Sequence, residues 1–423
     1  MTTQIVVLNK NGVALASDSV VTIEKDGAAK TLNNARKMHA LPEPHRVVVL
    51  DAGRGEINNL PVSLYVLRWA KSLKQPLTTP KAYAEDFVDW LAAHAANDIF
   101  TDSDAIRATA IDLLIDISRS IHTEVSEAAP RTWDYNLKNW LEADKNNAKT
   151  YAKAVRSVLD TLPDKLERAY TYTFFNVETA EKSLPANVCK TLVNEWFGEK
   201  SLSPSQRQKL VETLPLSLAK RVNLYNEQTT FTFVGYGSNS YTPSAVSIII
   251  EAIMPKMVRG WFSNEIDAIR GATIFYPAQR DAVRTFLNGY DDALLENLPS
   301  FIRDSIFEVL QETLESEPKA AKTLDDLIKQ HVAIGAISQK VKQKVSFFGE
   351  EHYANLIDTL EVMDLSSLAE VAESLAGMQI LAAHNSNENP NSGGIIEVSS
   401  IDIANGVTWH RKIPLTKTGI SNL

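Results

Sequence analysis

Apolar residues fall in short runs near both ends of the chain and recur every three to four positions through its middle. Ile5–Leu8 and Val13–Ala16 flank Asn11-Gly12, a dipeptide suited to a tight hairpin turn. Arg46–Leu50 (RVVVL) predicts a third strand, apolar enough to be covered on both faces. It runs into DAGRGE, where Gly53 and Gly55 permit backbone geometry that other residues resist. The period then changes. Leu60–Leu73 and Ala82–Ala96 read as amphipathic helices, with Phe87, Trp90 and Leu91 on one stripe of the second. From about Thr101 to Asn226 the pattern is helical, punctuated by Pro130, Pro163, Pro185 and Pro204, with Asp104 and Ser203 as candidate caps. Strand character returns at Thr229–Val234 and Ala245–Ile250, on either side of GYGSNS. Ala282–Leu314 and Leu324–Val345 predict helices. Ser367 with Glu370 makes a capping box that opens another. Ile395–Ile403 and the run to Trp409 close the chain as strands around Asn405-Gly406.

Strands, two helices, a helical stretch, strands, helices and strands again predict an α+β fold rather than regular βαβ alternation. The expected organisation is a core whose first half spans 2–99, a helical insertion over 100–226, and a second half over 227–423 with additional helices at about 282–345.

Composition narrows the function classes. The 423 residues are 44% hydrophobic and 22% charged, which is ordinary for a globular protein. A net charge of −9 without a Lys/Arg run argues against broad binding to nucleic acid or to an anionic membrane. No run of about 18 apolar residues occurs, nor a basic and apolar leader. The single cysteine, Cys189, rules out an intrachain disulfide framework and fits a reducing compartment, so a cytoplasmic location is expected. The eight histidines (39, 45, 94, 122, 331, 352, 384 and 410) show no metal-ligand spacing, so no metal is expected. Neither GxxxxGK[ST] nor GxGxxG after a strand is present, and no cofactor is expected.

The chemistry centres on the chain start, MTTQIVVLNKNGVALASDS. A small residue after the initiator favours removal of Met1, which would expose Thr2 with a free α-amine of reference pKa about 8. Such an amine can take the proton of a threonine hydroxyl and activate it as a nucleophile. The hairpin brings Ser17 and Asp18 back toward Thr2, and a buried carboxylate there needs a cation or several donors. Lys37, in ARKMHAL, is the candidate cation; a solvated surface lysine is the alternative. Gly53, at a strand end, offers an amide to a developing oxyanion.

TTQIVVLNKNGVALASDS, KMHAL and VVVLDAG together resemble the start of the proteasome β-subunit group of N-terminal nucleophile (Ntn) hydrolases. The resemblance implies a four-layer αββα sandwich, with Thr2 as nucleophile, Asp18 as its acidic partner, Lys37 as the lysine and Gly53 as the oxyanion amide. Lys30 is a weaker candidate for the lysine, because the interval from Asp18 to Lys37 exceeds the family spacing. VGYGSNS is similar to the family's Gly-Ser-Gly-Ser loop and implies a place near the threonine amine for Ser238, less surely for Tyr236. NPNSGGIIEV resembles the family's Asp-x-x-Ser-Gly-Gly segment, which puts Ser392 on the serine that contacts the amine. Asn389 stands where the family has Asp, with Glu388 beside it.

The expected activity is cleavage of a peptide or amide substrate through an acyl-enzyme on Thr2. The alternatives are a catalytically weak or inactive proteasome-like scaffold, and a small-amide hydrolase or transpeptidase of the same fold. The resemblance also implies a homo-oligomer and leaves room for a regulatory partner.

Overall fold

The computed structural model describes residues 2–25, 28–32, 35–94, 96, 101–128, 145–174, 178, 181–182, 184–197, 202–220, 228–316, 331–385 and 393–413. The fold is α+β, and the chain divides into two compact units. The first comprises 1–36, 241–243 and 267–423; the second comprises 37–240 and 244–266.

The first unit is built on an antiparallel sheet in the order β12-β1-β2-β13-β14, with β1 Gln4–Asn9, β2 Gly12–Ser17, β12 Thr273–Phe275, β13 Glu397–Asp402 and β14 Gly406–Arg411. One face carries Ile5, Val7, Ala14, Ala16 and Val398. These meet Leu368, Ala372, Leu375 and Ala376 of a helix over Leu365–Asn385. Alanines at 14 and 16 let that helix lie close to β2. A short ribbon, β3 Val21–Lys25 with β4 Ala28–Leu32, fills the interval between Asp18 and Lys37. It was missed in the sequence, although Asp26-Gly27 between β-branched residues is a hairpin signal.

Two sequence expectations here are corrected. The turn lies one residue earlier than Asn11-Gly12: Asn9 pairs with Gly12, and Lys10 and Asn11 make the bend. Asn9 Oδ1 accepts from Asn11 N–H at 2.8 Å, an Asx turn. Gly12 is there for space, since a Cβ on it would lie 2.5 Å from the Ile401 carbonyl oxygen. The helix expected to open at Ser367 instead begins at Leu365 with Asp364 as its cap, whose Oδ1 accepts from Ser367 N–H at 2.8 Å.

The second unit holds the antiparallel sheet β11-β10-β9-β6-β5, with β5 Met38–Ala40, β6 Arg46–Gly53, β9 Thr229–Tyr236, β10 Ser244–Met254 and β11 Met257–Asp267. β7 Glu56–Ile57 and β8 Leu60–Pro61 form a small ribbon, so the first predicted helix starts two residues late, as α1 Val62–Ser72. With α2 Pro80–Ala93, capped by Thr79, it buries Trp69 and Phe87 on Phe231 and Phe233 in edge-to-face and tilted ring contacts, with Tyr83 edge-on to Trp69.

The helical stretch holds α3 Asp102–Ala128, α4 Lys145–Arg168, α5 Ala186–Phe197 and α6 Pro204–Ala219. Ser203 caps α6 in a capping box, as expected. Asp104 serves as the second half of a capping box rather than as the N-cap: it reaches back from the first turn of α3 to Thr101 N–H at 2.9 Å, and Thr101 Oγ1 accepts from Asp104 N–H. The core of these helices takes in Met254, Met257 and Trp261 at the β10–β11 turn, so they share a core with the sheet. The join is polar at one point. Buried Arg259 on β11 pairs with Glu251 on β10 at 3.2 Å and donates to the hydroxyl of Tyr172, just beyond α4, at 2.7 Å. Tyr172 in turn donates to Glu251, and burial drives its own pKa strongly upward.

Glu251→Ala should therefore lower stability by about 3–5 kcal/mol in urea titration, because it strands a buried guanidinium. The double substitution Glu251→Leu with Arg259→Met should cost clearly less. A double variant no better than the single one would contradict this reading of the cluster.

Candidate active site

The β1–β2 register sets the geometry at the chain start. Gln4 pairs with Ser17, and one step further out Asp18 N–H donates to the Thr3 carbonyl at 3.0 Å. The Asp18 carboxylate then turns back over the strand end. Its Oδ1 accepts from Thr3 N–H at 2.9 Å; Oδ2 accepts from Gly393 N–H at 3.1 Å and Val20 N–H at 3.3 Å. Asp18 is 1% exposed, and these three amides replace the water that the carboxylate gives up. Thr2 is 9% exposed, and its carbonyl accepts from Gln279 N–H at 3.0 Å. The residue expected to carry the nucleophile is thus held at its own carbonyl, and its neighbour is held by Asp18.

Gly393 supplies a donor that sequence reasoning did not name. Its φ is +150°, and a Cβ would come within 3.0 Å of His384 Nε2. The same segment is stitched twice more, by Ser19 N–H to the Gly393 carbonyl at 3.2 Å and by Ile395 N–H to Ser19 Oγ at 2.9 Å. Glu397 was also missed. Opposite Ser17 on β13, it is buried, accepts from Ile413 N–H at 3.1 Å and has Arg36 Nε at 3.8 Å. A lone acid within the apolar run IIEVSS was the only signal for it.

Apart from Lys30, the other candidates fall in the second unit or outside the described residues. Lys37 is 4% exposed, so it is not a solvated surface lysine, and its carbonyl accepts from Asp51 N–H at 3.1 Å. Lys30 lies on β4 opposite Ile23, in the first unit. Gly53 ends β6 with φ +96°, and a Cβ there would lie 2.0 Å from the Gln228 carbonyl oxygen. Glycine at 53 is required by backbone packing alone. Ser238 sits on an exposed turn, its N–H donating to the Leu77 carbonyl at 2.8 Å, while Tyr236 is buried in β9. On the strands that carry Gly53 and follow Lys37, His39 Nε2 and Asp51 Oδ1 lie 2.6 Å apart, a pair hidden among the scattered histidines of the sequence. Glu388, Asn389 and Ser392 lie outside the described residues.

One competing nucleophile is weakened. Cys189 is buried in the helical core, and burial pushes its thiol up to about 11. No described helix is long and apolar enough to cross a membrane.

Neither a protein-family profile nor a curated protein sequence matches this chain.

Asp18→Asn should cost about 1–3 kcal/mol in urea titration, because an amide NH2 replaces one acceptor oxygen among three N–H donors. Asp18→Ala, which leaves all three donors without that acceptor, should cost more. An alanine variant as stable as the parent would contradict the account of this carboxylate.

Proposed function

We propose that the chain is an N-terminal nucleophile hydrolase that cleaves peptide or amide bonds through an ester on Thr2. The observation that carries this reading is the Asp18 carboxylate, buried and held by three main-chain amides, one of them from the residue after Thr2. Packing alone does not favour an aspartate at such a position, since burying a carboxylate is costly. A fixed negative charge beside an α-amine and a hydroxyl is what this chemistry needs.

The proposed cycle starts with removal of Met1. Thr2 Oγ attacks the substrate carbonyl carbon while its hydroxyl proton passes to the Thr2 α-amine. The C–N bond breaks, the leaving amine takes that proton, and the acyl group stays on Oγ as an ester. Water then gives a proton to the amine and attacks the ester, releasing the acid and restoring the hydroxyl. Lys37 as the cation that tunes the pair, Gly53 N–H as an oxyanion donor, and Ser238, Asn389 and Ser392 as groups around the amine belong to the same proposal, on the strength of the resemblance. So does the four-layer αββα arrangement. Each unit contributes one five-stranded antiparallel sheet with helices against it, which supports that reading.

A β-lactone probe followed by intact mass is the direct test. The parent should gain one acyl group, Thr2→Ser should still be acylated, and Thr2→Ala should gain none. Asp18→Asn should label at least about 100-fold more slowly, the order expected when a proton-transfer arrangement is disturbed. Equal labelling of the parent and Thr2→Ala would overturn the assignment of the nucleophile. Gly53→Ala is a poor probe of the oxyanion role, because its backbone clash lowers stability whatever the chemistry.

A further inference from the structure

Two helices of the first unit, Asp292–Ser316 and His331–Val362, pack on one another and bury few of their described residues. No described residue of Asp292–Ser316 is buried. In His331–Val362 the described buried residues are Ser338, Gly349 and Leu360, and the last, with Tyr353, Leu356 and Ile357, joins the core beneath the sheet. Leu294, Phe301, Val309, Ile337, Phe347 and Phe348 are each between 51% and 61% exposed. The apolar positions follow helix-pairing spacings: 294, 298 and 301 on one helix, 337, 341 and 348 on the other. A hairpin with this pattern has one apolar face too many for the contacts it makes.

Its charges are segregated over the first half of the second helix, whose later turns carry Glu350, Glu351, Asp358 and Glu361. Asp292–Ser316 carries Asp292, Glu296, Asp304, Glu308, Glu312 and Glu315 against Arg303 alone. The stretch 331–349 carries Lys340, Lys342 and Lys344 and no acid. Asp304, Glu308, Glu312, Lys340 and Lys344 are exposed. A surface that holds an acidic helix beside a lysine-bearing stretch is complementary to itself there when turned through a two-fold axis.

We propose that this hairpin pairs with the same hairpin of a second copy of the chain, forming an antiparallel four-helix bundle. The acidic helix of each copy lies on the lysine stretch of the other, with the phenylalanines between them. The footprint suits this: 25 residues rise about 37 Å, and two helices side by side present about 750 Å² per copy, close to the roughly 800 Å² a stable interface uses. This inference goes beyond the hydrolase reading and does not depend on it.

Sedimentation of the full chain at micromolar concentration tests it, with circular dichroism as the check on folding. The parent should associate, and Phe301→Glu with Phe348→Glu should halve its mass while keeping helix content. Reversing the acids (Asp304→Lys, Glu308→Lys and Glu312→Lys together) should also give a monomer, as should reversing the lysines (Lys340→Glu, Lys342→Glu and Lys344→Glu together). Mixing the two reversed proteins should restore the paired mass. A monomeric parent would overturn the proposal and leave the face to a different partner. Association unchanged by both reversals, or no recovery on mixing, would overturn it equally.

Discussion

The N-terminal unit depends on one carboxylate. Asp18 binds the amides of Thr3, Val20 and Gly393, and so joins the first strand, the end of the second and a segment 375 residues away. A residue slip in the β1–β2 register would turn the strand faces over and break this set at once. The fold makes room for that register with residues that have little or no side chain. Gly12 lets the Ile401 carbonyl approach, Gly393 adopts a φ that side chains resist, and Ala14 and Ala16 admit the Leu365–Asn385 helix. The proposed nucleophile inherits its position from this lattice of main-chain bonds rather than from a flexible terminus.

Local pattern made much of this legible. Alternation and β-branching located β1, β2, β6, β9 and β10, and the hairpin brought Asp18 to the chain start without any structure in hand. What escaped was decided by contacts far apart in sequence. Nothing in SGG states that the Gly393 amide serves Asp18, and nothing in PAQR states that the Gln279 amide holds Thr2. Gly12 was read as a turn glycine because Asn-Gly is a turn dipeptide, whereas its real constraint is the neighbouring β13 backbone. β11 was missed because MVRGWFSNEID mixes charge with aromatic residues and is held by pairing with β10. Periodicity marked the helical insertion but could not reveal the core it shares with Met254, Met257 and Trp261.

Burial separates residues that looked alike in the sequence. Lys37, Asp18, Glu397 and the Arg259–Glu251 pair are all withdrawn from water, and each buried charge demands specific partners. Asp304, Glu308, Glu312, Lys340 and Lys344 behave in the opposite way: they stay in solvent beside exposed phenylalanines. One set fixes the inside of each unit, and the other marks a surface with unspent apolar area.

The central claim is that the α-amine and hydroxyl of Thr2 work together, and the state of that amine tests it most directly. Tandem mass spectrometry of the N-terminal peptide from purified, active protein reads it in one measurement. The expected result is a peptide that begins at Thr2 with an unmodified α-amine in nearly every molecule. Quantitative retention of Met1, or a blocked Thr2 amine in protein that still turns over amide substrates, would contradict the claim.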